Sequence, residues 1–282
     1  MLIQTRRSFL QHSAAALAGA AFLPQLLSAA PGAKLRIGAR NFGSNFEPAK
    51  RAGMDGLEIG VGGAAEKLSI AEPATRQKLK DGMKATGLSV CSLSLDLLNG
   101  HPLFNDPQAP AWVEQSIAAA QDLGAVAMLV PFFGQAHLLQ GKEWKKEALD
   151  ALVARLKELA PKAQAAKVCL GIECSLSAKQ YLELLDRVGS EAVQAYYDIG
   201  NSTNAGFDVP ADLRALKGRL GMIHFKDGSS YLGAGKVKME PVAAALQAIN
   251  YQGWIVLETS NPSQNAEADC QRNAEFIRKL GL

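Results

Sequence analysis

The chain alternates short, nearly continuous apolar runs with longer segments of mixed character. Runs at 35–38, 56–60, 88–95, 125–130, 168–173, 193–198, 220–225 and 254–258 have the length and apolar content of buried strands. Pro131 stops the fourth run. Helical patterns lie between them. The clearest spans 145–166, where Leu149, Leu152, Val153, Leu156 and Leu159 recur at helical spacing with Lys and Glu between them. Segments 178–188, 241–249 and 266–280 behave alike, and a short first helix is expected around 47–52. No interval has the composition of a domain linker.

Apolar strands alternating with helices predict a parallel sheet covered on both faces. Eight such units in about 250 residues predict an α/β chain closed into a (β/α)8 TIM barrel, one domain over residues 34–282. The rival is a doubly wound open sheet, which usually carries a Gly-rich phosphate turn after its first strand. Here Gly38-Ala39-Arg40-Asn41-Phe42-Gly43 lacks that spacing. Gly60-Val61-Gly62-Gly63 opens no convincing helix with a ribose-binding acid behind it.

Residues 1–33 follow another pattern. Thr5-Arg6-Arg7-Ser8-Phe9-Leu10-Gln11 precedes an Ala-rich apolar stretch from Ala14 to Leu27, and small residues cluster at 28–33. That is the anatomy of a secretory signal. Paired arginines followed by Phe-Leu resemble the twin-arginine signal, a receptor-read address and not an anchor. Gly19 and Pro24 break the apolar run, which falls short of the ~20 residues a membrane span needs. Residues 1–33 are therefore expected to be removed. The mature protein is expected in the periplasm or at the cell surface, with the twin-arginine machinery as its export partner and no stable membrane anchor.

Composition narrows the reading further. A hydrophobic content of 48% with 20% charged residues supports a full core. The net charge is +3, part of it in the signal, so no nucleic-acid or anionic-membrane footprint is evident. Cys91, Cys169, Cys174 and Cys270 lack zinc-ribbon spacing, and most sit in apolar, strand-like contexts, which favours buried free thiols.

The candidate chemistry is positional. The fifth strand ends in Glu173, the sixth in Asp198, the seventh carries His224 and the eighth ends in Glu258. In a barrel these ends converge on the face where active sites sit. An unpaired buried charge is expensive, so three carboxylates and one imidazole in successive apolar strands point to a shared metal ion. Oxygen-rich ligation plus one imidazole suits Mn²⁺, Mg²⁺ or Co²⁺, with Zn²⁺ also accommodated. Structural zinc would take more sulfur and nitrogen.

At these residues, from about Lys34 onward, the chain resembles the xylose isomerase-like barrels of the sugar phosphate isomerase/epimerase family. The pieces that carry the resemblance are Gly171-Ile172-Glu173, Tyr197-Asp198-Ile199-Gly200-Asn201, Ile223-His224-Phe225-Lys226-Asp227, Leu232-Gly233-Ala234-Gly235-Lys236-Val237 and Gly253-Trp254-Ile255-Val256-Leu257-Glu258. Gly56-Leu57-Glu58-Ile59 is the best piece of the first half. The resemblance implies that Glu173, Asp198, His224 and Glu258 ligate the metal, and that Glu173 and Glu258 double as the catalytic acid/base pair. It allows a homodimer. Many ketose epimerases of the family place a substrate-binding His where this chain has Asn201, which puts ketose specificity in question but leaves the metal site intact.

The reaction this implies is proton removal next to a sugar carbonyl through an enediolate. Return of the proton gives epimerisation or isomerisation. Loss of a β leaving group gives elimination, so a 3-keto-glycoside lyase is the alternative within the same site. Export favours an unphosphorylated sugar or glycoside substrate. Strand alternation aims Lys226 to the same side as His224, where it either steadies substrate or pairs with Asp227 or Glu258. Asn201 and Lys226, with His101 and His137 after the third and fourth strands, are candidate substrate contacts. Trp112, Phe132, Phe133 and Tyr231 are expected to pack rather than to wall a sugar face. A three-zinc endonuclease of the same superfamily needs many more histidines than His101, His137 and His224. A non-catalytic sugar-binding barrel is the other rival, and the retained acid/base carboxylates argue against it.

Overall fold

A computed structural model describes residues 34–282, so the expected export signal at 1–33 lies outside the described residues. Each expected run forms a strand. In chain order these are β1 (Arg36–Ala39), β2 (Gly56–Gly60), β3 (Ser89–Ser94) and β4 (Ala127–Pro131). A small antiparallel pair follows, β5 (Leu139–Gln140) and β6 (Glu143–Trp144). The remaining strands are β7 (Cys169–Glu173), β8 (Val193–Asp198), β9 (Leu220–Phe225) and β10 (Trp254–Leu257). All but β5 and β6 join one closed parallel ring in the order β1-β10-β9-β8-β7-β4-β3-β2. The ring closes where Arg36 to Ala39 pair with Trp254 to Leu257. The expected TIM barrel is what the chain forms.

The helices are α1 (Phe46–Arg51), α2 (Pro73–Thr86), α3 (Ala109–Leu123), α4 (Lys146–Ala166), α5 (Ala178–Val188), α6 (Ile199–Asn204), α7 (Val209–Leu216), α8 (Met239–Ala248) and α9 (Ala266–Lys279). α5 begins as its sequence requires. Ser177 accepts the Gln180 N–H, and the Gln180 side chain returns to the Ser177 N–H, a capping box. It ends at Gly189, whose φ of 70° few other residues tolerate. Among the described residues no helix is long and apolar enough to cross a membrane.

Because strand side chains alternate, the ring carries two cores. Leucine, isoleucine and valine of the outward face pack under the helices, for example Ile37, Leu57, Leu170 and Ile255. A smaller cluster including Leu129, Tyr196, Met222, Trp254 and Val256 fills the barrel interior. All four cysteines are free and buried. Two register shifts interrupt the ring. In the first, Leu57 pairs with Val90 but Glu58 with Ser92, so Cys91 is an extra residue in β3. A bulge of this kind re-aims the next side chain, here Ser92. The second falls between Ala195 and Tyr196, opposite Gly221.

Candidate active site

The inward parity of the strands continues past the apolar interior to the C-terminal mouth. There it presents Glu173 from β7, Asp198 from β8, His224 from β9 and Glu258 just after β10. One donor atom from each lies within 4.8 Å of the others. Asp198 and His224 are direct register partners. Asp198 Oδ1 accepts the Asn201 N–H at 2.7 Å and so caps α6. Its Oδ2 is buried without a hydrogen bond, although the Lys226 ammonium forms an ion pair with it at 3.0 Å. Three carboxylates and an imidazole, with one carboxylate oxygen left unbonded among them, fit a divalent ion in donor number and chemistry.

His224 is fully buried and contacts carboxylates on both sides. Its Nδ1 lies 3.4 Å from Glu173 Oε1, 3.3 Å from Glu258 Oε2 and 3.9 Å from Asp198 Oδ2. Its Nε2 lies 3.2 Å from Glu58 Oε1. Glu58, only 2% exposed, accepts hydrogen bonds at Oε2 from Ser92 at 2.6 Å and Tyr196 at 2.5 Å. In the sequence Glu58 stands only as one residue of Gly56-Leu57-Glu58-Ile59. Its signal was available: a lone charge inside an apolar run, the same argument that singled out the other four.

Arg40 is the second residue that the pattern did not reveal. It extends inward from the end of β1 and donates to Glu258 Oε1 at 2.7 Å and to Asp96 Oδ2 at 2.8 Å. Its Nε is 3.7 Å from Glu58 Oε1. Lys226 lies on the same side as His224, as strand alternation predicts, and donates to Glu258 Oε2 at 2.6 Å. Its stem runs against Gly200, where a Cβ would sit 2.5 Å from Lys226 Cγ. Of the two pairings weighed for Lys226, the structure makes the one to Glu258.

Asp227 turns the other way and organises the loop after β9. It accepts the backbone N–H groups of Gly233 at 3.1 Å, Gly235 at 2.9 Å and Val237 at 2.9 Å. A Cβ on Gly235 would lie 2.2 Å from Asp227 Oδ1, so this close approach requires glycine. Asp227→Ala is expected to lower unfolding free energy by about 2–3 kcal/mol, because charge-assisted bonds are lost and the loop amides lose their acceptor. Urea unfolding measures this. A loss below about 0.5 kcal/mol would mean that the loop holds itself.

The electrostatic field of the cluster pulls its members apart. Burial, the largest influence, pushes Glu173 above the usual carboxylate range despite the neighbouring His224. Burial likewise pushes Asp198 up to about 7 against the pull of Lys226. At Glu258 burial also acts upward, but His224 and Lys226 together outweigh it and hold the carboxyl well below its ordinary value. Glu58 is lowered in the same way, with His224, Arg40 and Ser92 overcoming burial. Burial opposes the charge on His224, yet Glu58, Glu258 and Glu173 raise it well above the imidazole norm.

The remaining expected contacts take the following places. Asn201 sits on the first turn of α6 and meets Asp198 through its backbone N–H. His101 pairs with Asp106 at 2.9 Å and meets the Trp112 ring edge-on at 5.3 Å. His137 Nδ1 accepts the Leu139 N–H at 3.1 Å. Trp112 and Phe132 are buried, Phe133 is half-buried, and Tyr231 donates to Asp269 at 2.8 Å under the Arg272 guanidinium.

The model of the xylose isomerase-like TIM barrel family matches residues 46–280. The chain belongs to this family. Among curated relatives, 2-epi-5-epi-valiolone 7-phosphate 2-epimerase of Actinoplanes sp. is 26% identical over 209 residues, covering 71% of this chain and 75% of that protein. L-ribulose-5-phosphate 3-epimerase of Escherichia coli is 24% identical over 249 residues, covering 82% and 86%. Among solved structures, 3-keto-D-glucoside 4-epimerase of E. coli superposes with a TM-score of 0.70 at 18% identity, over 87% of this chain and all of that one. L-ribulose 3-epimerase superposes at 0.71 with 21% identity, over 88% and 94%. All four are named as epimerases.

Proposed function

We propose that this xylose isomerase-like barrel is a metal-dependent sugar isomerase or epimerase that works by proton abstraction next to a sugar carbonyl. The observation that carries the reading is the convergence of Glu173, Asp198, His224 and Glu258 at the barrel mouth, within 4.8 Å of one another. The epimerase relatives support the reaction class. One divalent ion held by these donors, Mn²⁺, Mg²⁺ or Co²⁺ with Zn²⁺ in range, supplies Lewis acidity for the negative charge that builds on the sugar oxygens.

The chain's own groups do the rest. A C–H beside a carbonyl is a weak acid, and a positioned carboxylate takes its proton. Glu173 and Glu258 enter from β7 and β10, with β8 and β9 between them in the ring. They therefore approach a bound carbon from different sides, and one removes the proton while the other returns it with inversion. Arg40 and Lys226 grip the two oxygens of Glu258 and fix its orientation. Lys226 also faces Asp198, so one ammonium sets the position of two donors. The export reading of residues 1–33, which rests on sequence alone, favours an unphosphorylated ketose or keto-glycoside as substrate.

The test is incubation of the mature protein in deuterium oxide with ketoses and 3-keto-glycosides, with and without chelator. Deuterium entry beside the carbonyl is expected, and chelator is expected to abolish it. Release of an aglycone would redirect the reading to β-elimination on the same site. No exchange on any substrate, with no ion bound after adding Mn²⁺, Co²⁺ or Zn²⁺, would overturn the reading and favour a binding protein.

A further inference from the structure

We infer that Glu58 is a positioning residue that decides which nitrogen of His224 faces the metal. The inference rests on the four-donor reading proposed above and goes one layer beneath it. A neutral imidazole has one lone pair and one N–H, and the partner of one nitrogen sets the state of the other. Nδ1 of His224 faces Glu173, Glu258 and Asp198. Nε2 points the opposite way, 3.2 Å from Glu58 Oε1. A carboxylate only accepts hydrogen bonds. With Nε2–H donated to Glu58, the Nδ1 lone pair is aimed at the other three donors. The reverse tautomer would set an Nε2 lone pair against a carboxylate oxygen and turn an N–H toward the ion.

Glu58 is itself held in place. Ser92 and Tyr196 both donate to Oε2, which leaves Oε1 for His224, with the Arg40 guanidinium behind it at 3.7 Å. Ser92 is brought there by the extra residue in β3, Cys91. The Tyr196 ring meets the imidazole at 4.5 Å between centroids and 63° between planes, which blocks rotation of the ring. Side chains from three strands, β3, β8 and β9, thus converge on the buried carboxylate of β2. A buried charge of this kind persists when its partners are good, and here the partners are two hydroxyls, the ligand histidine and the Arg40 guanidinium.

The test is Mn²⁺ affinity by calorimetry for the wild type, Glu58→Ala, Glu58→Gln, Tyr196→Phe and His224→Ala, with thermal midpoints of the ion-free proteins alongside. A second readout is nitrogen NMR of the histidines in Zn²⁺-loaded, labelled protein. The wild type is expected to show Nε2 protonated and Nδ1 bound. Glu58→Ala is expected to weaken Mn²⁺ by about 10–100-fold. Glu58→Gln, whose amide oxygen still accepts from Nε2–H, is expected to recover most of that loss. Tyr196→Phe keeps the test decisive if Glu58→Ala does not fold, and it is expected to weaken Mn²⁺ about fivefold through loss of one hydrogen bond. Unchanged affinity in the Glu58 and Tyr196 variants overturns the inference, as do equal losses in Glu58→Ala and Glu58→Gln, or an Nδ1–H in the loaded protein. If those results come while His224→Ala abolishes binding, the inference falls and the four-donor site stands. A wild type that binds no ion overturns both.

Discussion

Glu173→Gln and Glu258→Gln are each expected to lower turnover of an accepted sugar by about 10²–10⁴-fold, the usual contribution of a general acid or base. Glutamine keeps the shape of the side chain and removes its ability to carry a proton. Glu173 is 3% exposed and packed at the end of β7, so the isostere preserves the mouth of the barrel. Glu258 also pairs with Arg40 and Lys226, and its substitution weakens both pairings. Both variants lose a charged donor, so the comparison belongs at saturating ion. Solvent exchange gives the sharper readout. With one base on each side of the carbon, each variant should still exchange the epimer whose proton faces the surviving carboxylate, and fail on the other. Turnover within about tenfold of wild type in both variants would refute the acid/base pair.

Ion binding is expected to weaken on acidification by about a hundredfold or more between pH 8 and pH 6, since a single displaced proton already contributes about tenfold per pH unit. The sign follows from the direction of the shifts. Burial raises Asp198 to about 7 and raises Glu173, while the surrounding carboxylates raise His224 against its burial. A carboxyl raised to about 7 and an imidazole raised well above its norm carry protons in the ion-free protein at neutral pH and below. Their protons must leave before the oxygens and Nδ1 can ligate, so affinity rises with pH and falls as pH drops through about 7. Glu258 is held low and contributes no proton in this window. Calorimetry with Mn²⁺ in buffers of different ionisation enthalpy measures both the affinity and the proton count. Affinity constant from pH 6 to pH 8, with no proton release, would contradict this account.

The barrel and its four donors were legible because both are encoded locally. A strand buried on both faces is a short apolar run wherever it lies, and a charge at its end declares itself against that background. The long amphipathic helices follow for the same reason. α2, α3, α6 and α7 are not singled out by the pattern: α2 buries little beyond Leu79 and Thr86, α3 is alanine-rich, and α6 and α7 are short. The β5–β6 pair is illegible because two residues per strand show no period.

The sequence alone thus determined the fold class, the strand ends and the identity of Glu173, Asp198, His224 and Glu258 as a set. Tertiary structure decided how the set is held. Arg40 reaches Glu258 across 218 residues of chain, and Tyr196 reaches Glu58 across 138. It also paired His101 with Asp106 and with the Trp112 ring of α3, and it turned Nε2 of His224 toward Glu58. The physical reason is ring closure. A strand's pattern states which side chains point inward, but which inward side chains meet depends on strand order, register and a one-residue bulge. Those are settled only when β1 pairs with β10.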